Sequence, residues 1–199
     1  MEMNVFELAC RQSGYKQIAG IDEAGRGALA GPVIAAAVIL PPHCSIKGLR
    51  DSKQLSPKQR AHLFDEIHDV AVSVGIGAAD HRVIDRLNIL RATLLAMQEA
   101  VEKLTPSPDY LLVDGLDLPA VGVAGEAIPK GDSKSCSIAA ASIIAKITRD
   151  RLMVALDRAY PNYGFSRHKG YPTSQHRQAI AQFGASEIHR RTFKLLPDA

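Results

Sequence analysis

The chain reads as an α/β fold in which helices flank a central mixed β-sheet. Three observations point there. Short apolar runs bounded by glycine and proline recur along the chain, and from about residue 56 they alternate with longer segments of helical period. Of the 199 residues, 46% are hydrophobic and 23% charged, which gives a real core and excludes a disordered or fibrous chain.

A short helix is expected over residues 4–12. Gln17 to Ile21 and Val33 to Leu40 are short and apolar, lie between glycines or prolines, and read as a hairpin-like pair of strands. The charge-free stretch Ala28 to Ile46 is divided by Gly31, Pro32, Pro41 and Pro42, so it holds a buried strand and not a membrane span. Ser56 followed by Pro57 supplies an N-cap and a first-turn proline for a helix over Lys58 to Val70, with Leu63, Ile67 and Val70 on one face. Val72 to Ala78 alternates as a strand. From Asp80, the residues Val83, Leu87, Leu90, Leu94, Met97, Val101 and Leu104 recur at steps of four and three, which predicts one long helix packed on the sheet; three heptads are too few for a coiled coil. Tyr110 to Val113 is a buried strand ending at Asp114-Gly115, and Ala120 to Ile128 is a further strand candidate. Residues 134–158 form a second long helix, and the small residues Ala139, Ala140 and Ala141 let it lie close on the sheet. A last helix is expected over 173–183. No internal repeat or linker divides the chain, so residues 1–199 read as one domain with about 160–199 as a helical appendage.

The formal net charge of +3 hides an asymmetry: residues 130–194 carry 12 Lys+Arg against 4 acids, whereas residues 1–129 carry 12 against 16. Clustered cations of this kind neutralise phosphates and release counterions, which makes the C-terminal third a candidate nucleic-acid face; on charge alone a solvated surface fits equally well. Three cysteines, Cys10, Cys44 and Cys136, with no CxxC spacing, argue against a disulfide framework or a zinc knuckle. With no basic and apolar leader at Met1-Glu2-Met3-Asn4, a reducing cytoplasm is the expected location.

Four acids and three loops are the candidates to carry chemistry. Asp22 and Glu23 follow directly on an apolar strand, in Gly20-Ile21-Asp22-Glu23-Ala24-Gly25-Arg26-Gly27, where ionised carboxylates are costly unless they meet cations or water. A divalent metal resolves that cost, and carboxylates gathered from separate strand ends suit phosphoryl chemistry; a turn with two solvated acids is the plainer alternative. The run Gly25 to Ala30 also fits G-x-G-x-x-A, but Gly31-Pro32 breaks the helix that a dinucleotide site requires. Gly25 and Gly27 instead let backbone N–H groups approach a ligand, with Arg26 between them as a phosphate fork. Asp114 sits at a strand end and is a ligand or a turn residue; Asp132, in Lys130-Gly131-Asp132-Ser133-Lys134, is a ligand, a helix N-cap or both. Lys53, in Asp51-Ser52-Lys53, is a phosphate contact or a solvated cation, and Tyr171, in Phe165 to Thr173, is a stacking platform or a half-buried surface tyrosine. His168 and His176 lack convincing zinc spacing.

Taken in order, these stretches, with Ser137 to Asp150 (SIAAASIIAKITRD) and Lys169-Gly170-Tyr171, resemble ribonuclease HII, the bacterial type 2 ribonuclease H, from Ile18 through Thr173. The resemblance implies a ribonuclease H-like fold and an endoribonuclease that hydrolyses the RNA strand of RNA–DNA hybrids. It also implies incision 5′ of single ribonucleotides embedded in duplex DNA, leaving 3′-hydroxyl and 5′-phosphate ends, for ribonucleotide and RNA-primer removal. By position it assigns Asp22, Glu23, Asp114 and Asp132 as the catalytic acids. The resemblance further implies that these hold Mg2+ or Mn2+, with two ions in the catalytic complex. Gly25, Arg26 and Gly27 match the junction-reading loop, Tyr171 the tyrosine on the ribonucleotide sugar, and Lys53 a lysine near the phosphates. Asp150 is an extra acid, spaced to pair with Lys146. A monomer without an obligate protein partner or a membrane is expected. Two other readings remain: a catalytically inactive hybrid-binding protein, against which all four acids weigh, and a phosphohydrolase of small nucleotides, which has no use for the basic C-terminal third.

Overall fold

The computed structural model describes residues 3–44, 46–49, 52 and 55–197. In chain order the elements are α1 (Val5–Gln12), β1 (Ile18–Ala24), β2 (Val33–Ile39), α2 (Pro57–Val70), β3 (Ser73–Ala79), α3 (His81–Leu87) and α4 (Ile89–Glu102). They continue with β4 (Tyr110–Asp114), β5 (Gly125–Ile128), a 3₁₀ turn at Gly131–Ser133, α5 (Cys136–Ala159), α6 (Phe165–His168) and α7 (Ser174–Phe183).

The five strands form one mixed sheet in the order β3-β2-β1-β4-β5. β1 and β2 are antiparallel, as the hairpin-like pairing requires, and β2 pairs β3 antiparallel as well. On its other side β1 runs parallel to β4, and β4 parallel to β5. Alternation sends successive side chains to opposite faces. Ala19, Ile21, Ala35, Ala37 and Ile39 meet α3 and α4 on one face, through Ile84, Ala92, Ala96, Met97 and Ala100. Ala36 and Val38 meet α5 and α2 on the other, through Ala140, Ile143, Ile144, Leu63 and Ile67. Close approach is obligatory where α5 crosses β1: a Cβ on Gly20 would stand 2.0 Å from the Ser137 carbonyl carbon.

The segment after α5 carries a small core of its own, Tyr163, Phe165, Ala179, Ile180 and Ile188, which closes on Leu29, Ala30 and Met153. Backbone bonds Leu29 N–H to Gly170 O, Gly31 N–H to Ile188 O and Arg190 N–H to Leu29 O stitch it to the loop that joins β1 and β2. No helix among the described residues is long and apolar enough to cross a membrane.

Two expectations need correction, and one alternative falls away. The helix expected from Asp80 to Leu104 is two helices, because Asn88 adopts φ 72° and starts α4 with its own side chain, whose Oδ1 accepts from Arg91 N–H. A sustained apolar period does not register one residue in a non-helical conformation. Of Ala120 to Ile128 only β5, the last four residues, is strand. Helix α5 is capped by Ser135, whose Oγ accepts from Ile138 N–H, so Asp132 lies in the preceding 3₁₀ turn and does not cap it.

Candidate active site

The parallel register explains why acids far apart in sequence meet. Ile21 pairs with Val113, so the next residues, Asp22 and Asp114, leave the carboxyl ends of neighbouring strands together. Asp114 in turn pairs with Ile128 on β5, and the chain returns within four residues to place Asp132 beside them. Carboxylate oxygens of Asp22, Asp114 and Asp132 lie within 4.8 Å of one another. Carboxyl ends of parallel strands are where open α/β sheets bind ligands.

Local bonds fix these groups. Asp22 Oδ1 accepts from Glu23 N–H at 2.7 Å, and Asp114 Oδ1 accepts from Gly131 N–H at 2.7 Å, tying the 3₁₀ turn to the end of β4. Asp22 and Asp132 are each only 6% exposed. Burial raises the Asp22 carboxyl well above the usual range, and the charges of Glu23 and Asp114 raise it further. Such a crowd of hard oxygen donors fits a divalent cation, which would relieve the like-charge cost. Glu23 lies outside that group of three: its Oε1 meets Arg26 Nη1 at 3.5 Å.

Beside the acids is a cleft of about 440 Å³ whose walls include Asp22, Glu23, the Gly25-Arg26-Gly27 loop and Tyr171. Gly25 has φ +101°, and a Cβ there would stand 2.0 Å from Arg149 Nε, so glycine is required on both counts. At Gly27 a Cβ would meet nothing within 4 Å, which leaves the cleft side of the loop open. Tyr171 has the Arg149 guanidinium 5.2 Å and the Lys146 ammonium 5.6 Å from its ring centre. Lys146 also binds Asp150 at 2.8 Å, the pairing that helical spacing suggests. Lys53 lies outside the described residues, although its neighbour Ser52 lines the cleft.

Several residues of the site's frame were not singled out from sequence. Ser142 and Lys146 line the cleft; their place in the SIAAASIIAKITRD run was the signal for Ser142, and Lys146 was read only as the partner of Asp150. Arg149 and Arg190 belong to the basic C-terminal third yet are fully buried, so the 12 cations counted there overstate the surface open to phosphate. His168, His176 and His189 form a buried cluster, with the first two rings stacked at 4.3 Å. His176 Nδ1 donates to Tyr171 O, and its Nε2 lies 3.0 Å from His189 Nε2; burial lowers both rings to a pKa of about 4.

Residues 19–196 match the family model described as Ribonuclease HII. The chain belongs to the ribonuclease HII family. It is 60% identical over 189 residues to the ribonuclease HII of Geobacter sulfurreducens, covering 95% of this chain and 87% of that one. With the ribonuclease HII of Acetivibrio thermocellus it shares 56% over 193 residues, 97% of this chain and 75% of the other. Among solved structures, the ribonuclease H2 of Pyrococcus horikoshii OT3 matches with a TM-score of 0.74 at 29% identity, covering 90% of this chain and 94% of that chain. The fold expected from the resemblance is therefore the fold found.

Proposed function

We propose that this chain, a metal-dependent type 2 ribonuclease H by family, cuts the RNA strand of RNA–DNA hybrids and incises 5′ of single ribonucleotides in duplex DNA, leaving 3′-hydroxyl and 5′-phosphate ends. The observation that carries this reading is the convergence of Asp22, Asp114 and Asp132 beside a cleft walled by a glycine loop and a tyrosine. Asp22, Glu23, Asp114 and Asp132 would hold the metal, Mg2+ or Mn2+, as two ions in the catalytic complex. When bound, the metal supplies an activated water and neutralises charge on the scissile phosphate and the leaving 3′ oxygen. No side-chain nucleophile is then needed.

The protein's own contribution is placement. The amides of Gly25, Arg26 and Gly27 read the 2′-OH without side-chain bulk, since that hydroxyl alone separates RNA from DNA at one nucleotide. Tyr171 packs on the ribonucleotide sugar. Arg26, half-exposed at 47%, reaches the adjoining phosphate, and Lys53 is a further phosphate contact. A neighbouring groove of about 520 Å³, lined by Lys146, Arg167 and Lys169 and sharing Tyr171 with the cleft, continues the basic surface along the duplex backbone. Residues about 160–199 act as the substrate-binding appendage of a single catalytic domain working as a monomer. The cytoplasm suits its three free thiols. Removing ribonucleotides from DNA and RNA primers is the cellular task this chemistry serves.

The test is an end-labelled DNA duplex with one embedded ribonucleotide, incubated with Mg2+ beside an all-DNA duplex and an EDTA control. A single metal-dependent nick 5′ of the ribonucleotide is expected. Binding without cutting in Mg2+ and in Mn2+ would replace the nuclease with a hybrid-binding protein. Cutting of the all-DNA duplex would overturn the 2′-OH reading.

A further inference from the structure

Two arginines lie under the active-site loop, each with no exposed surface. Arg190 donates from Nη2 to Gly25 O at 2.8 Å, from Nη1 to Arg26 O at 2.8 Å and from Nε to Gly31 O at 3.0 Å. Arg149 donates from Nε to Pro32 O at 2.9 Å, from Nη2 to Ala30 O at 3.1 Å and from Nη1 to Lys169 O at 2.9 Å. Six backbone carbonyls thus take six guanidinium bonds, and among the described residues no carboxylate bonds either cation. Burying two like charges side by side is expensive, and here it is tolerated because each guanidinium satisfies three backbone carbonyls at once. Arg190 shows the strain: burial and the charge of Arg149 pull its pKa down to about 9, which still leaves it charged at neutral pH.

The bonds have a directional consequence. In a planar trans peptide the carbonyl and the following N–H point opposite ways. Holding Gly25 O and Arg26 O downward on Arg190 therefore turns the N–H groups of Arg26 and Gly27 away from the guanidinium, toward the cleft that these residues line. Neither N–H has an acceptor among the described residues. Arg149 does the matching work at the tyrosine. It holds Lys169 O, two residues before Tyr171, and lies under the tyrosine ring with Cζ 5.2 Å from its centre.

We propose that Arg190 and Arg149 are positioning residues for ribonucleotide selection, setting the direction of the Arg26 and Gly27 amides and the distance from that loop to Tyr171. This rests on the ribonucleotide-incising function proposed above. A lone ribonucleotide offers one register, so a misdirected amide is felt fully there; a long hybrid offers many registers and tolerates it better.

The experiment compares wild type, Arg190→Lys and Arg149→Lys by kcat/KM on a duplex with one embedded ribonucleotide and on a long RNA–DNA hybrid, with melting temperature as the check on folding. An ammonium cannot span three carbonyls as a guanidinium does. The expected result is a fall of at least tenfold in the ratio of the two kcat/KM values for folded Arg190→Lys, and a fall in the same direction for Arg149→Lys. A merely structural role lowers both rates together, and an unchanged ratio in folded variants would overturn the proposal. Failure of both variants to fold where wild type is folded would overturn it too, since the guanidiniums would then be structural. Wild type cutting neither substrate would refute the proposed function itself, an outcome separate from these.

Discussion

Asp22 is heavily burdened: nearly buried, on a central strand, beside two other aspartates and next to Glu23. Its raised pKa means that the folded, metal-free protein resists losing that proton, so a cation is the natural relief. Asp22→Asn keeps the shape and removes a ligand charge. It should abolish turnover while leaving duplex binding largely intact, as read by nicking and gel retardation; retained cleavage would remove Asp22 from the site. Tyr171→Ala should cost more on a lone ribonucleotide than on a long hybrid, and equal loss on both would end its role at the sugar. These residues were legible because each breaks a local rule: acids at the end of an apolar strand, and glycines flanking an arginine. Arg149 and Arg190 were not legible, since nothing in sequence tells a cation on the surface from one turned inward onto carbonyls.

Elements place these residues, and two of the placements can be tested. Gly20 lets α5 lie on β1, so Gly20→Ala drives a Cβ to 2.0 Å from the Ser137 carbonyl carbon and forces the helix outward. Overpacking of this kind costs about 1–3 kcal/mol, measured as loss of unfolding free energy in urea. The second concerns the segment carrying Tyr171. His189 Nδ1 accepts from Ser186 N–H, so its Nε2–H faces His176 Nε2, while His176 Nδ1–H serves Tyr171 O; each ring is neutral in this arrangement. Their folded pKa of about 4 lies below the ordinary 6.5, so the unfolded chain binds more protons between those values. Stability from this pair is complete above about pH 6.5 and is lost as pH falls toward 4. His176→Gln should flatten that acid limb in melting curves recorded against pH; a limb as steep as that of wild type would assign the acid loss elsewhere. The strands and most helices followed from apolar period and caps, as with Ser56 and Pro57, whose capping box is present. The break at Asn88 did not, because its φ of 72° answers to packing of two helices on one face and leaves no mark on the period.

At the scale of the whole molecule, sequence separates what the sheet joins. Asp22, Asp114 and Asp132 were readable one by one, but only the parallel β1-β4-β5 order gives them a common end. The basic C-terminal third was visible as a charge count, and the structure divides it into surface cations such as Arg167 and the two buried clamps. Duplex binding should therefore weaken steadily with rising salt and show little sequence preference, by retardation or anisotropy titrations at several ionic strengths. A salt-independent affinity would take the duplex off this surface. The most direct measurement concerns Asp114, which reaches the site only through the parallel pairing: the rate of Mg2+-dependent nicking of a duplex with one ribonucleotide by Asp114→Asn beside wild type. Loss of one preorganised electrostatic group predicts a fall of about 10²-fold or more with melting temperature maintained. Nicking at the wild-type rate would contradict a metal site assembled from two strands and the 3₁₀ turn beside them.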